Sequence, residues 1–344
     1  MSRTPRRASM SDVARLAGVS TQTVSRYFTG VGYVHADTRE RISTAIDELG
    51  YRPNHAARNL RSRRSDSVGV LSMGKLNHGT ATLLTGLSEA AREVGFSLST
   101  THLDLDFAAE GWQEEARRSL DHFLSTQVDG IVVATPVLGV EDALPDPADP
   151  TPLLTISERP HGSLASASMH SHDAGVQATE HLIALGHSRI LHLAGPRTRN
   201  EAFERERGYR EAMTAAGLEP LIAAGAQDWT AESGFRVAES LDPSTFTAVF
   251  AANDEIALGV MSAMSSHGLI APRDFSIVGV DDMPSSAFFA PPLTSVRLDF
   301  RRLGREAFGL LHRLIRDGAP PAHLVVEPEL VVRESTAPPG TRGR

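Results

Sequence analysis

The run SDVARLAGVSTQTVSRYFTG, residues 11–30, decides how the first part of this chain folds. Ser9-Met10-Ser11-Asp12 has the spacing of a capping box, Val13, Leu16 and Ala17 recur at helical intervals, and Gly18 supplies a stop. Ser20 can cap a second helix whose buried stripe is Val24, Tyr27 and Phe28, leaving Thr21, Gln22, Ser25 and Arg26 on the outer face. A third helix fits residues 36–49, with Ile42, Ala45, Ile46 and Leu49 on one side and Gly50 at its end. Three short helices, the first two joined by a tight glycine turn, predict a helix-turn-helix head. The second helix of such a head lies in a DNA major groove, where Gln22 can bond adenine, Arg26 guanine, and the Thr21 methyl can pack on thymine. The competing reading is that TQTVSR is only the wet face of a small bundle.

Charge separates these readings. Residues 1–64 hold 12 arginines against 5 acidic residues, a net of +7, while the remaining 280 residues hold 22 basic and 37 acidic groups, a net of -15. A basic module on an acidic body is the footprint of a polyanion-binding head, although a solvated basic tail would give the same count. The chain of 344 residues is long enough for two or three domains, and 41% apolar content is ordinary for a globular protein. Its longest apolar runs fall short of the roughly 20 residues a spanning helix needs. MSRTPRRASM is basic with no apolar segment behind it, so no secretory signal and a cytoplasmic location are expected. The chain has no cysteine, which excludes disulfides and thiolate metal sites.

Together, residues 11–30 and TRERISTAIDELGYRPNHAARNL, residues 38–60, resemble the head and hinge of the LacI/GalR family of bacterial transcription regulators. The shared pattern is D-V-A-x-x-A-G-V-S-x-x-T-V-S-R followed by G-Y-x-P-N-x-x-A-x-x-L. PNHAARNLRSRR, residues 53–64, starts with proline, carries Ala56, Ala57 and Leu60 on one side, and is too short to be a stable helix alone, so it is expected to fold on binding. The resemblance implies that two such hinges pair in the minor groove with Leu60 wedged into the central base step. It assigns DNA contact to Ser20, Thr21, Gln22, Thr23, Ser25, Arg26, Asn54, His55, Ala57 and Leu60.

Beyond the hinge, apolar runs such as SVGVLSM, FSLSTTHLD, VDGIVVATP, PLLTIS, SRILHLAGP, FTAVFAAND and FSIVGVDD alternate with helical stretches such as 80–94, 110–127, 173–186, 201–217, 231–240 and 254–267. That alternation predicts an α/β body with parallel sheets, and its size predicts two lobes with a cleft between them. The resemblance implies a periplasmic-sugar-binding-protein-like fold crossed three times, near residues 170, 297 and 325. The expected organisation is a head over 1–52, a hinge over 53–64, and a two-lobed effector-binding and dimerisation domain over 65–337. Lobe 1 covers about 65–170 and 298–325, lobe 2 about 171–297 and 326–337, with a tail over 338–344.

Ligands of open α/β sheets sit beyond the carboxyl ends of strands. The resemblance places Arg205, Trp229, Asn253, Asp281, Phe300 and Ser157 at the effector, and Asp173 near the lobe boundary. Arg, Asp and Asn bond sugar hydroxyls while aromatic rings stack on apolar sugar faces. Alternatives stand beside these roles: a helix ion pair of Arg205 with Glu201, a core role for Trp229, and helix capping by Asp254 and Asp282. Ser157 stands where the lactose-responsive pattern has an aspartate, and Ala134, Met73 and Leu298 replace polar positions, so the first-lobe wall is less polar and the ligand need not be a β-galactoside.

The ending TAPPGTRGR has no apolar heptad, which predicts a homodimer addressing a pseudo-palindromic double-stranded operator. The expected activity is repression released by a small sugar or sugar derivative; the alternative is a co-repressing nucleobase or phosphorylated sugar. No cofactor, metal or membrane partner is expected. HSHDAG (170–175) and TEHLIALGH (179–187) match no recognised zinc pattern, and His187 is expected in a surface or capping role. No nucleophile elbow, P-loop or dinucleotide fingerprint occurs. A secreted sugar receptor would have no use for the basic head, and a glycosidase would need paired cleft carboxylates, whereas Asp281 and Asp282 are adjacent.

Overall fold

Ser9 opens the first helix of the head as a reciprocal cap: its Oγ accepts from Asp12 N–H at 3.3 Å, and its own N–H donates to Asp12 at 2.9 Å. The computed structural model describes residues 8–29, 32–52, 64–107, 109–134, 137–145, 149–158, 161–223 and 225–340. Helix α1 spans Met10–Ala17 and stops at Gly18, whose φ of 64° is left-handed and favours glycine. Helix α2 spans Thr21–Thr29, its first turn capped by Ser20 Oγ on Thr23 N–H at 3.1 Å. Helix α3 spans Ala36–Leu49 and ends at Gly50. Val13, Ala14, Ala17, Val24, Ile42, Ala45 and Tyr51 form the head's core, with Tyr27 and Phe28 partly buried. Leu16, expected in that stripe, is 50% exposed. At 100° per residue it lies about 100° from the centre of the face made by Val13, Ala14 and Ala17. The hinge positions Asn54, His55, Ala57 and Leu60 lie outside the described residues.

Residues 66–344 form a second compact unit. It runs β1 (Ser67–Met73), α4 (His78–Glu93), β2 (Ser97–Leu103), α5 (Trp112–Ser125), β3 (Gly130–Val133), β4 (Leu153–Ile156) and β5 (Ala165–Ser168). There follow α6 (Ser171–Ala184), β6 (Ile190–Leu193), α7 (Asn200–Ala215), β7 (Leu221–Ala223), α8 (Ala231–Ala238), β8 (Ala248–Ala251), α9 (Asp254–Ser266), β9 (Ser276–Asp281) and β10 (Thr294–Arg297). The chain closes with α10 (Phe300–Asp317), β11 (His323–Val325) and β12 (Glu329–Val331). Among the described residues two six-stranded sheets result, ordered β11-β5-β4-β3-β1-β2 and β12-β10-β9-β8-β6-β7. All pairings are parallel except β12 on β10. The chain therefore passes between sheets after β5, after β10 and after β11.

Strands β5, β7, β10, β11 and β12 and helix α10 were not among the elements read from the sequence. Strand β5 is Ala-Ser-Ala-Ser, buried throughout, and lacks the branched or aromatic residues that advertise a strand. His323 of β11 satisfies its hydroxyls, at 2.8 Å from Ser166 Oγ and 3.3 Å from Ser168 Oγ. Helix pairs cross through glycines: a Cβ on Gly175 of α6 would strike Arg205 O of α7, and one on Gly208 would strike His172 O. These close crossings set the depth at which α7 delivers its side chains to the space between the sheets.

Candidate functional site

In the head, Ser20 and Thr23 are occupied in starting α2, their hydroxyls 2.9 Å apart. Thr21, Gln22 and Arg26 are exposed together on its outer side, and Ser25 is half-buried. Beneath them Tyr27 packs edge-on to Phe28 at 5.3 Å and carries the Arg39 guanidinium over its ring. The helix is thus anchored by its apolar side and presents three polar side chains capable of base-edge hydrogen bonds and methyl contact.

A cleft open to solvent lies between the sheets at the carboxyl ends of their strands. Ser157, Arg205, Trp229, Asp281 and Phe300 line it together. Arg205 is 3% exposed, donates to Ala252 O at 2.6 Å, faces Asp281 at 3.5 Å and lies 5.3 Å above the Trp229 ring centre. Asp281 sits at the end of β9 with φ 108°, an unusual conformation for a side chain with a Cβ. Burial pushes its carboxyl up to about 7, outweighing the attraction of Arg205. Phe300, the first residue of α10, packs its ring over Gly79.

Asn253 does not line the cavity. It caps α9, accepting from Ile256 N–H at 2.8 Å, and donates to Trp229 O at 3.1 Å, so it fixes the indole's backbone. Asp254 is therefore not the cap expected of it: buried inside the first turn, it accepts from Met283 N–H, Ser286 Oγ and Ser295 Oγ, and burial raises its carboxyl to about 6. Asp282 caps no helix among the described residues either, being held by Arg297 and Arg333. Nor does Arg205 pair with Glu201. Glu201 is taken by Arg199 at 2.9 Å because the β8 carbonyl end and Asp281 draw the Arg205 guanidinium across the sheet.

Sequence reading missed Asn77, Thr80, Glu158, Met169, Arg199 and Glu201 as wall residues. Glu158 is half-buried, accepts from Met169 N–H, Ser171 N–H and Ser171 Oγ, and has its carboxyl raised chiefly by desolvation. Its adjacency to Ser157 was the only signal. Ala134 and Leu298 line the wall, whereas Met73 is buried outside it. Contacts cross the cleft between lobes: Asn200 Nδ2 donates to Ser157 Oγ at 3.0 Å, and Lys75 meets Asp228 at 2.8 Å.

His187 is a buried connector rather than a surface group, bonded to Thr247, Ser276 and Ala337 O. His170 and Asp173 of the HSHDAG segment, both half-buried, meet the exposed Glu327 with ligand atoms within 4.8 Å of one another, outside the cleft. No helix of the described residues is long and apolar enough to cross a membrane.

Residues 9–54 match the family described as bacterial regulatory proteins, lacI family, and residues 179–336 match the periplasmic binding protein-like domain. The lactose operon repressor of Escherichia coli (strain K12) is 33% identical over 342 residues, covering 96% of this chain and 91% of that protein. The chain belongs to the LacI family of bacterial regulatory proteins. Like other members of the LacI family, it is a DNA-binding transcriptional regulator with a helix-turn-helix head and a periplasmic-binding-protein-like body. The lac repressor dimer bound to operator and the anti-inducer ONPF superposes with a TM-score of 0.87 at 30% identity, covering 96% of this LacI-family chain and all of that one. The transcriptional regulator CelR in complex with cellobiose gives 0.69 at 31% identity over the same shares.

Proposed function

We propose that this LacI-family regulator is a homodimeric repressor that leaves a pseudo-palindromic operator when a small sugar closes the cleft between its lobes. The observation that carries the reading is the buried Arg205, stacked on Trp229 and facing Asp281 in a cleft whose walls come from both lobes. A ligand held by both walls stabilises one lobe arrangement over another, and differential affinity of that kind is what an allosteric signal requires. The division is head 1–52, hinge 53–64 and body 65–337, with lobes changing near residues 170, 297 and 325.

In the head, Thr21, Gln22 and Arg26 read base edges, Ser20, Thr23 and Ser25 contact the backbone or support the helix start, and Asn54, His55, Ala57 and Leu60 act in the minor groove. In the cleft, Arg205, Asp281 and Ser157 bond the ligand, Trp229 and Phe300 pack on it, and Asn253 positions Trp229. Dimerisation follows the lac repressor dimer, and a sugar effector follows the CelR–cellobiose complex. The protein works in the cytoplasm by binding rather than turnover: Asp281 and Asp282 face different arginines and do not form an acid and nucleophile pair across one ligand.

Fluorescence anisotropy of labelled DNA from the gene's own upstream region tests this reading. Salt-sensitive binding that is reversed by a mono- or disaccharide supports repression. Binding that only tightens with ligand replaces it with co-repression.

A further inference from the structure

The two walls of the cleft differ in what they leave unsatisfied. On the second lobe, Glu201 Oε2, Arg205 Nε and Trp229 Nε1 are buried and have no hydrogen-bond partner among the described residues. All three belong to lining residues, and Glu201 and Arg205 stand one turn apart on α7. They are one acceptor and two donors, the complement of neighbouring hydroxyl groups, each of which both donates and accepts. On the first lobe most of the polar lining is already engaged: Ser157 Oγ with Asn200, Glu158 with Met169 and Ser171, Asn77 Oδ1 with Thr80 N–H, and Ser168 Oγ with His323. Beside Ser157, what that side chiefly offers a ligand is the buried apolar surface of Leu83, Ala134, Ile156, Met169 and Leu298.

Charge narrows the ligand further. The charged wall residues are Glu158, Glu201 and Asp281 against Arg199 and Arg205, and both arginines already face carboxylates. A phosphate or carboxylate entering here would be desolvated beside Glu158 with no uncommitted cation among the described lining residues to receive it.

We infer that the effector is a neutral, amphipathic sugar derivative, with one hydroxylated edge on Glu201, Arg205 and Trp229 and an apolar flank, a deoxy carbon or an O-alkyl group, on Leu83, Ala134 and Leu298. The inference rests on the cleft being the effector site. It distinguishes this chain from a regulator of sugar phosphates and from one that needs hydroxyls on every side of the ring.

The test is isothermal titration calorimetry on the full-length dimer without DNA. The probes are matched sets built on glucose, galactose and mannose: the free hexose, its butyl glycoside, its 6-deoxy form and its 6-phosphate. In at least one set the butyl or 6-deoxy compound should bind about tenfold tighter than the free hexose, the gain expected from burying a few carbons. The 6-phosphate should bind at least tenfold more weakly. Leu298→Gln should cut the butyl compound's advantage to twofold or less, and Glu201→Gln should weaken every neutral member about tenfold, with operator binding of each variant reporting that it folds. A 6-phosphate that binds as well as its parent overturns neutrality while leaving the cleft as the effector site. A butyl compound no tighter than its parent overturns the apolar flank. No binding in any set overturns both this inference and the sugar-effector reading on which it rests.

Discussion

Gly195 decides where Trp229 sits, because a Cβ there would fall 2.5 Å from the indole and 3.2 Å from Ala202. Gly195→Ala must therefore displace the ring that faces the cleft. Overpacking of this kind costs about 1–3 kcal/mol. Sugar affinity measured by calorimetry should fall roughly tenfold or more, whereas operator affinity without sugar should stay within about twofold. The neighbouring Asp281 makes a second prediction. Its carboxyl is raised to about 7, so the folded protein holds a proton that the unfolded chain releases near its ordinary value, and stability falls as pH rises through roughly 4 to 7. His192 runs the other way: burial lowers it to about 4, so its contribution is lost as pH falls below its ordinary value. That contribution is common to wild type and Asp281→Asn. The melting temperature of Asp281→Asn relative to wild type should therefore rise from pH 5 to pH 8, and a constant difference would show that Asp281 does not titrate in this range. None of this was legible beforehand. Asp281 was identified as a site residue, but its environment is built by Arg205, Asp254, Glu201 and Glu255 from other elements.

Helix α2 was readable from local rules because its cap and apolar stripe lie within a dozen residues of one another. Arg26→Ala should weaken operator binding and relax selectivity at one base pair per half-site, by about 1–3 kcal/mol. Anisotropy across a base-substituted operator set checks this, and unchanged selectivity would remove Arg26 from the reading face. The α6 and α7 pair was readable only as two helices. Their crossing depends on Gly175 and Gly208, which in sequence are ordinary small residues far apart. Gly208→Ala would push against His172 O and Val176 N, separate the helices and lower the unfolding free energy by about 1–3 kcal/mol in a denaturant titration. Helix α10 escaped the sequence reading despite its buried face of Leu303, Ala307, Phe308, Leu310 and Leu311. Its arginine-rich outer side and apolar inner side alternate at helical spacing, so this helix was legible in the sequence all the same. Strand β5 escaped because small residues carry little propensity signal.

At the scale of the whole chain, a head of net charge +7 on a body of -15 makes operator binding an electrostatic event and sugar binding a local one. Plotted against log salt, operator affinity should fall with a slope near -0.9 per phosphate neutralised, while affinity of the cleft for a neutral sugar should stay nearly flat. Equal slopes would refute the separation of roles. The sequence by itself determined the head, with its caps, stops and polar face, and the α/β character of the body, because those features arise from contacts a few residues apart and from periodicity. It also identified Arg205, Trp229 and Asp281. Only the tertiary structure decided what they do: Arg205 left Glu201 for Asp281, Asn253 turned from the cavity to hold Trp229, and Glu158 and Glu201 joined the wall. Residues from 77 to 303 converge there through three passages between sheets. Which polar atoms such convergence satisfies, and which it leaves for a ligand, is set by packing across elements and is invisible to any local pattern.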